Sequence, residues 1–518
     1  MVPPRPTSPP RTPLREVAAL LGVPAPESGP GAPADVTGVT LDSRAVLPGD
    51  LYAALPGAHA HGADFAAAAA RAGAVAVLTD DDGARRMRAA GTVLATLVVP
   101  DPRGVLGHVA AAVYGTRPTP LRLVGITGTN GKTTTAYLVH SALTALGRRP
   151  GLIGTVETRI GDERVGSVRT TPEAPDLHAL LAVMAERGLD GCVMEVSSHA
   201  LAQHRVDGAV YDVALFTNLS QDHLDFHGDM ESYFAAKAML FTPDHSRRGI
   251  VCVDDAWGRR LAAEATVPVL SLATGDDSAD WVVHPDEHDP AAFVLSGPDG
   301  VLLALRSSLP GAFNVTNTAM AAAVLVTLGE DADAVGRAVL ADPHVPGRME
   351  RVALEGGGVQ PLAVVDYAHT PDAIGAALRA LRPGTPGRLV CVTGAGGDRD
   401  RDKRRAMGVA AAGVADLVVV TDDNPRSEDP AAIRDAVLAG VQEVRDAGRD
   451  VEVVVVGDRR RAIREAVAAV WAEGADATVA VVGKGHESGQ DVGGVVHPFD
   501  DRDELREALR LAAGTVAR

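Results

Sequence analysis

Ile126–Thr127–Gly128–Thr129–Asn130–Gly131–Lys132–Thr133–Thr134 combines residue types suited to holding a polyphosphate. An apolar run, Leu121 to Ile126, precedes it and a helical pattern, Thr133 to Leu146, follows, which is the setting a phosphate loop requires. Glycines let backbone N–H groups point inward at phosphate oxygens, and the helix N-terminus adds its positive end. Lys132 would neutralise the β and γ phosphates of a nucleoside triphosphate, and the Thr133 hydroxyl would ligate Mg²⁺. The spacing departs from the strict G-x-x-x-x-G-K-[ST] loop, because Ile126 stands five residues before Gly131. That disfavours ordinary kinases and GTPases. A chance Gly/Thr turn ahead of a helix is the competing reading, and the agreement of strand, turn, lysine and paired threonines opposes it.

Two further segments carry metal-binding chemistry. Met194–Glu195–Val196–Ser197–Ser198–His199 closes one apolar run, and Thr217–Asn218–Leu219–Ser220–Gln221–Asp222–His223–Leu224–Asp225 closes another. Open α/β sheets bind ligands at such strand ends. A carboxylate and an imidazole on adjacent strand ends can jointly hold hard cations near the phosphates. Each alone would more readily be a satisfied structural residue; beside the phosphate loop the functional reading takes over.

Positioning these groups requires a parallel sheet, and the chain alternates accordingly. Apolar strand candidates Gly191 to Val196, Val210 to Thr217 and Ile250 to Val253 are separated by helical stretches. A β-rich insertion, about Trp281 to Leu309, precedes an apolar helix around Asn317 to Leu328. A later set of strands, Ala363 to Asp366, Leu389 to Thr393, Leu417 to Thr421, Val451 to Val456 and Thr478 to Val482, reads as a Rossmann-like domain. It lacks Gly-x-Gly-x-x-Gly after its first strand, so no dinucleotide site is expected there. Upstream, short strands (Val36 to Thr40, Val75 to Thr79, Thr96 to Val99) mix with Ala-rich helices, and the two prolines of Gly115–Pro120 mark a linker. The expected fold is therefore α/β in three domains: a small N-terminal α/β domain (14–117), a central phosphate-loop domain with a parallel sheet (118–344) and a C-terminal Rossmann-like domain (345–518). The Pro-rich stretch 1–13 reads as a disordered tail.

Composition agrees with a folded enzyme of this size. Of 518 residues, 46% are hydrophobic and only 3% aromatic, so the core must rest on Ala, Val and Leu. The formal net charge of -18 argues against a nucleic-acid or anionic-membrane partner. Three scattered cysteines, Cys192, Cys252 and Cys391, form neither a disulfide framework nor a zinc spacing, which points to a reducing compartment. With no secretory h-region and no apolar stretch of the ~18 residues a membrane span needs, a cytoplasmic location is expected.

Gly-Thr-Asn-Gly-Lys-Thr-Thr, Glu-Val-Ser-Ser-His, Thr-Asn-Leu-Ser-x-Asp-His-Leu-Asp and Gly-Ala-Phe-Asn-Val-x-Asn, in that order, resemble the Mur ligases of peptidoglycan synthesis. The resemblance implies an ATP-dependent ligase with Mg²⁺. It assigns ATP to Gly128, Thr129, Asn130, Gly131, Lys132, Thr133 and Thr134, with adenine at Asn314, the triphosphate at Arg348, and Asp366 (near the ribose) and His369 on the same side. Thr133, Glu195 and His223 then look like metal ligands. Lys237 matches the family's carbamylated lysine, whose added carboxylate supports a second Mg²⁺; without the family it reads as a solvated helix lysine. Lys132, Glu195, His223 and Lys237 are the implied catalytic set.

The same resemblance gives the N-terminal domain a UDP group. Leu41–Asp42–Ser43–Arg44 followed by Pro48–Gly49–Asp50–Leu51 matches the uridine-nucleotide motif, so Leu41 and Ser43, and Ala58, His59 and Ala60 in a variable stretch, are the implied contacts. A surface turn is the alternative for Ser43 and Arg44. Thr170, Thr171, Ser197, Gln203 and Arg205 match contacts to the muramoyl-peptide, UDP-N-acetylmuramoyl-L-alanyl-D-glutamate. Asp423–Asn424–Pro425–Arg426 is the discriminating turn, because an Arg there can pair bidentately with a carboxylate at the far end of a side chain. That is what meso-2,6-diaminopimelate offers and L-lysine lacks, and the family's lysine-adding members depart from this arginine. Arg399, Gly483 and Glu487 match the remaining contacts of that amino acid. A capped turn with a surface arginine is the structural alternative. Lysine addition, another ligase of the fold (MurF-like or folylpolyglutamate-type), and a non-catalytic nucleotide scaffold are the competing functions. A monomer with no nucleic-acid or membrane partner is expected.

Overall fold

The computed structural model describes residues 4–26, 35–167, 169–340, 343–354 and 359–516. Three main sheets follow one another along the chain. The first has four parallel strands, Gly38–Thr40, Asp50–Ala53, Ala76–Thr79 and Ala95–Val98, with the helix Pro102–Tyr114 against it. Asp101 caps that helix by accepting from Arg103 N and Gly104 N, and Pro102 presets its first turn.

The second sheet has eleven strands. Its centre is parallel, in the order Pro150–Ile153, Gly191–Glu195, Arg122–Thr127, Val213–Phe216, Gly249–Cys252, Val269–Thr274, Trp281–Pro285. Antiparallel strands close both edges: Glu157–Ile160 and Glu163–Gly166 at one, Ala292–Ser296 and Leu302–Arg306 at the other. The helices Lys132–Ala145 and Ala312–Thr327 lie side by side against this sheet, and the run Ala319 to Leu325 of the second is wholly buried. Alanines let the two helices approach closely, which is how a core so poor in aromatics still packs densely.

The third sheet has six strands, in the order Glu350–Val352, Leu362–Asp366, Thr478–Val482, Leu389–Thr393, Leu417–Val420, Glu452–Val455, all parallel except the first. Continuous apolar runs fill it because helices cover both faces. Arg459 and Asp501, each with a fully buried side chain, form a two-bond ion pair at 2.7 Å that ties the helix Arg459–Val470 to Asp501–Val516.

The N-terminal stretch departs from its expected disorder. Residues 1–3 lie outside the described residues, but residues 4–13 are docked: Arg5 pairs with Asp50 at 2.7 Å, and Thr12–Pro13 pairs with Asp35–Val36. A buried carboxylate 45 residues away, invisible to local composition, supplies the anchor. The last apolar helix of the central unit starts at Ala312 rather than near Asn317, because Gly311 at φ 99° ends the preceding loop. Two hairpins, Glu157–Gly166 and Gly489–Pro498, and the strand Asp50–Ala53 were not anticipated. Cys192, Cys252 and Cys391 are free and buried in strands. Among the described residues no helix is long and apolar enough to cross a membrane.

Candidate active site

Parallel register places the chemistry. Glu195 pairs with Ile126, and Phe216 with Thr127, so Glu195, the phosphate loop and Thr217 emerge together at the carboxyl ends of adjacent strands. Two glycines are required by close approach: a Cβ on Gly128 (φ 146°) would lie 1.9 Å from Thr217 Oγ1, and one on Gly131 (φ 89°) 2.6 Å from Asn317 Oδ1. The loop is held from the neighbouring strand end, where Thr129 N donates to Asn218 O at 2.9 Å, Asn130 N to Asn218 Oδ1 at 2.9 Å and Thr217 Oγ1 to Asn130 O at 2.6 Å.

Glu195 is 1% exposed. Its carboxylate accepts from Thr133 Oγ1 (2.9 Å), Thr155 N (2.8 Å) and Thr155 Oγ1 (3.1 Å). Lys132 folds back onto the carbonyls of Gly128 (2.8 Å) and Thr129 (2.9 Å). Lys237, also 1% exposed, donates to the same Gly128 carbonyl at 2.8 Å and sits 4.6 Å over the Tyr233 ring. Burial, with Lys132 close by, pushes the Lys237 ammonium well down from its ordinary value. Lys132 is lowered as well, chiefly by burial. His223 stands at a left-handed backbone position (φ 55°), its ring 4.9 Å from that of His199, and burial in the cleft lowers its imidazolium.

The C-terminal unit reaches across the cleft. Arg348 Nη2 donates to Thr133 Oγ1 at 3.1 Å, its guanidinium stacks 4.3 Å over Tyr367, and its buried Nη1 has no hydrogen-bond partner among the described residues. Asp366 accepts from Met349 N (2.7 Å) and Ala368 N (2.8 Å); burial raises its carboxyl and Arg348 partly offsets this. Lys403 Nζ lies 3.3 Å and His369 Nε2 3.8 Å from the Asp222 carboxylate. Burial disfavours charge on Asp222, yet His223, His369 and Lys403 hold it well below the usual carboxylate range.

Between the two units lies a cavity of about 740 Å³. The loop from Thr129 to Thr134, Thr170, Glu195, Ser197, His223, Lys237, Asn314, Arg348, Asp366 and His369 all line it. Gly128 contributes its carbonyl behind the wall. Asn314 donates from its amide to Pro310 O and accepts from Asn317. Among the described residues no group of three His, Cys, Asp or Glu forms a ready metal cage. The donors present, a hydroxyl and a carboxylate beside a phosphate loop, still fit Mg²⁺, which takes one or two protein ligands and completes its shell with phosphate oxygens and water.

Other expected contacts sit outside the cavity. Thr171 lies behind it, donating to the Glu195 carbonyl at 2.9 Å and accepting from Ser197 N at 3.0 Å. Arg205 pairs with Glu173 at 3.0 Å and also donates to Gln203. Leu41 and Ser43 lie on the turn after the strand Gly38–Thr40, where Arg44 folds back onto Asp42; Ala58, His59 and Ala60 are exposed on the same unit. A second cluster forms at the carboxyl ends of the third sheet. Lys484, wholly buried, donates to Asn424 Oδ1 and Glu487 Oε2, both at 3.0 Å, and Asn424 Nδ2 donates to Glu487 at 2.8 Å. A Cβ on Gly483 would lie 2.6 Å from Asp423 Oδ2. Pro425 is buried, and Arg426 (φ 50°) donates from Nη1 to Gly397 O at 2.5 Å. Arg399 is exposed on the loop beside it.

Several contributors were missed. Asn317 and Asp222 stood inside recognised motifs, and Lys484 lies between Gly483 and Glu487, so a signal existed. Thr155 and Lys403 had none, because their partners are supplied only in space.

Family comparisons cover all three units. Residues 35–114 match the family described as Mur ligase family, catalytic domain; residues 126–325 match Mur ligase middle domain; residues 347–485 match Mur ligase, glutamate ligase domain. A UDP-N-acetylmuramoyl-L-alanyl-D-glutamate–2,6-diaminopimelate ligase of Streptomyces avermitilis is 55% identical, covering 99% of each chain. Its counterpart in Corynebacterium glutamicum is 47% identical over 94% of each. A solved structure of an enzyme with that name shares 32% identity at a TM-score of 0.65, covering 97% of this chain and 100% of the other. MurF from Acinetobacter baumannii, 17% identical with a TM-score of 0.64 over 91% and 95%, shares the fold. These likenesses, on a phosphate loop facing the polar groups of a second unit, define an ATP-dependent peptide ligase. The chain belongs to the Mur ligase family.

Proposed function

We propose that this enzyme adds meso-2,6-diaminopimelate to the γ-carboxylate of D-glutamate in UDP-N-acetylmuramoyl-L-alanyl-D-glutamate, using ATP, within cytoplasmic peptidoglycan synthesis and so in support of cell shape and division. One observation carries the reading: the phosphate loop with Glu195 and Lys237 faces a unit whose strand ends hold Arg426, Asn424 and Glu487.

The substrate carboxylate oxygen attacks the γ-phosphorus, the bond to the β-phosphate oxygen breaks, and an acyl phosphate and ADP result. The uncharged amine of diaminopimelate then attacks the acyl carbon. Collapse of the tetrahedral adduct expels phosphate, and the amine's proton is lost to solvent or a base. Two anions meet in the first step, so Lys132 and Arg348 act by offsetting charge at the transferring phosphoryl group. Asn314 and Asp366 would hold the adenosine, and Thr170, Thr171, Ser197, Gln203 and Arg205 the muramoyl-peptide. Leu41, Ser43 and Ala58 to Ala60 would take the uridine diphosphate. Thr133, Glu195, His223 and a carbamylated Lys237 would hold Mg²⁺, which supplies charge neutralisation of the polyphosphate. The enzyme acts as a monomer on this reading.

Phosphate release with UDP-muramoyl-dipeptide, ATP and a panel of amino acids tests it; turnover with L-lysine but not diaminopimelate would overturn the specificity. Arg426→Ala should raise KM for diaminopimelate about 30-fold, the worth of a charge-assisted pair, with KM for ATP unchanged.

A further inference from the structure

Arg5 makes contacts that the phosphate-transfer chemistry does not use. Its Nη1 donates to Asp50 Oδ1 at 2.7 Å and Oδ2 at 2.8 Å, and its Nη2 lies 3.4 Å from Ala45 O. Asp50 also accepts from Leu47 N at 2.8 Å. The Asp50 side chain is 2% exposed, and a carboxylate so enclosed requires a cation. Gly38 makes room for the pair, since a Cβ there would lie 2.3 Å from Asp50 Oδ1 and 2.9 Å from Arg5 Nη1. Both braced groups, Ala45 O and Leu47 N, belong to the turn that carries Leu41 and Ser43.

The segment around Arg5 is fastened on both sides of a unit boundary. Thr7 N, Thr7 Oγ1 and Ser8 N donate to the Glu186 carboxylate at 2.9, 2.5 and 3.1 Å, at the end of the helix Ala174–Glu186 of the central unit. Further on, Thr12 and Pro13 pair with Val36 and Asp35, just ahead of the strand that enters the turn. Residues 4–13 thus bridge the first sheet, the 41–47 turn and the central unit.

We propose that residues 4–13 form a strap in which Arg5 is a positioning residue for the uridine-nucleotide turn, so that this segment sets affinity for the UDP end of the substrate. The inference rests on the proposed reading that this turn holds uridine diphosphate. Without the guanidinium, Asp50 still accepts from Leu47 N but is left buried without its cation, and the turn loses its brace at Ala45. Arg5 makes no contact with the phosphate loop, so ATP handling stays intact.

The test uses the full chain. Arg5→Ala should raise KM for UDP-muramoyl-dipeptide about tenfold, with kcat and the KM for ATP and for diaminopimelate within about twofold. Calorimetric titration with uridine 5′-diphosphate alone should show the same weakening, and Arg5→Lys should recover part of it. Should Arg5→Ala fail to fold, Arg5→Lys carries the test at about threefold, because lysine keeps a cation beside Asp50 but cannot donate as a fork. Unchanged affinity for uridine diphosphate in the folded variant overturns the proposal, as does a loss spread equally over all three substrates. A wild-type chain that does not bind uridine diphosphate would instead refute the functional reading on which it rests.

Discussion

Lys237 carries the sharpest question at the scale of single residues. Its amine is enclosed, bonded to one carbonyl and stacked on Tyr233, and burial beside Lys132 lowers its ammonium well below the ordinary value. A neutral amine can attack carbon dioxide: the N–C bond forms, a proton leaves, and a carbamate carboxylate stands where an ammonium did. On the proposed reading Lys237→Ala lowers kcat at least ~100-fold, the scale of losing a preorganised electrostatic contact at the reacting centre. Nucleotide affinity should change little, added acetate should restore part of the rate, and native mass spectrometry of the wild type should detect the adduct. A Lys237→Ala enzyme of ordinary activity would remove the residue from the chemistry. Sequence physics alone made it a solvated helix lysine; only the fold encloses it.

Buried histidines tie elements together and make the fold sensitive to acid. His178, on the helix Ala174–Glu186, bonds through Nδ1 to Thr116 Oγ1 (2.6 Å) and through Nε2 to the Asp207 carbonyl (3.0 Å), joining the segment after the first unit to the central one. Burial is the main reason its imidazolium is pushed down from 6.5 to about 4. Between those values the unfolded chain binds the proton and the folded one does not. The stability held by neutral His178 is therefore complete above about pH 6.5 and is lost as pH falls towards 4, about 3 kcal/mol in all. His178→Leu should be less stable at pH 7.5 but lose less Tm between pH 7 and 5 than the wild type; parallel Tm–pH curves would refute this. Gly115–Pro120 reads correctly as neither helix nor strand, but its anchorage through Thr116 has no local signature.

Across the whole molecule, few groups hold the cleft in the arrangement described. Lys403 and His369 on Asp222, and Arg348 on Thr133, are contacts that span it. Their partners lie 181 and 215 residues apart in the chain for Lys403 and Arg348. Loss of the Lys403 cation leaves Asp222 under-compensated and weakens closure. Lys403→Ala should increase the radius of gyration in small-angle scattering with ATP analogue and substrate present. It should also lower kcat roughly 10- to 100-fold through misplacement of the reacting groups. Unchanged scattering with unchanged kcat would exclude this pair from closure.

Sequence by itself determined the phosphate loop, the order of the α/β units and the acidic and imidazole residues at strand ends. Those features depend on local backbone freedom at Gly128 and Gly131 and on apolar runs such as Leu389 to Thr393, which propensity and periodicity report directly. Tertiary structure alone decided that Lys237 is buried, that Asp222 faces Lys403, and that a Pro-rich start is strapped to Asp50 and Glu186. Each depends on contacts made across long chain separations, and such contacts are set by where the sheets bring the groups rather than by local sequence pattern.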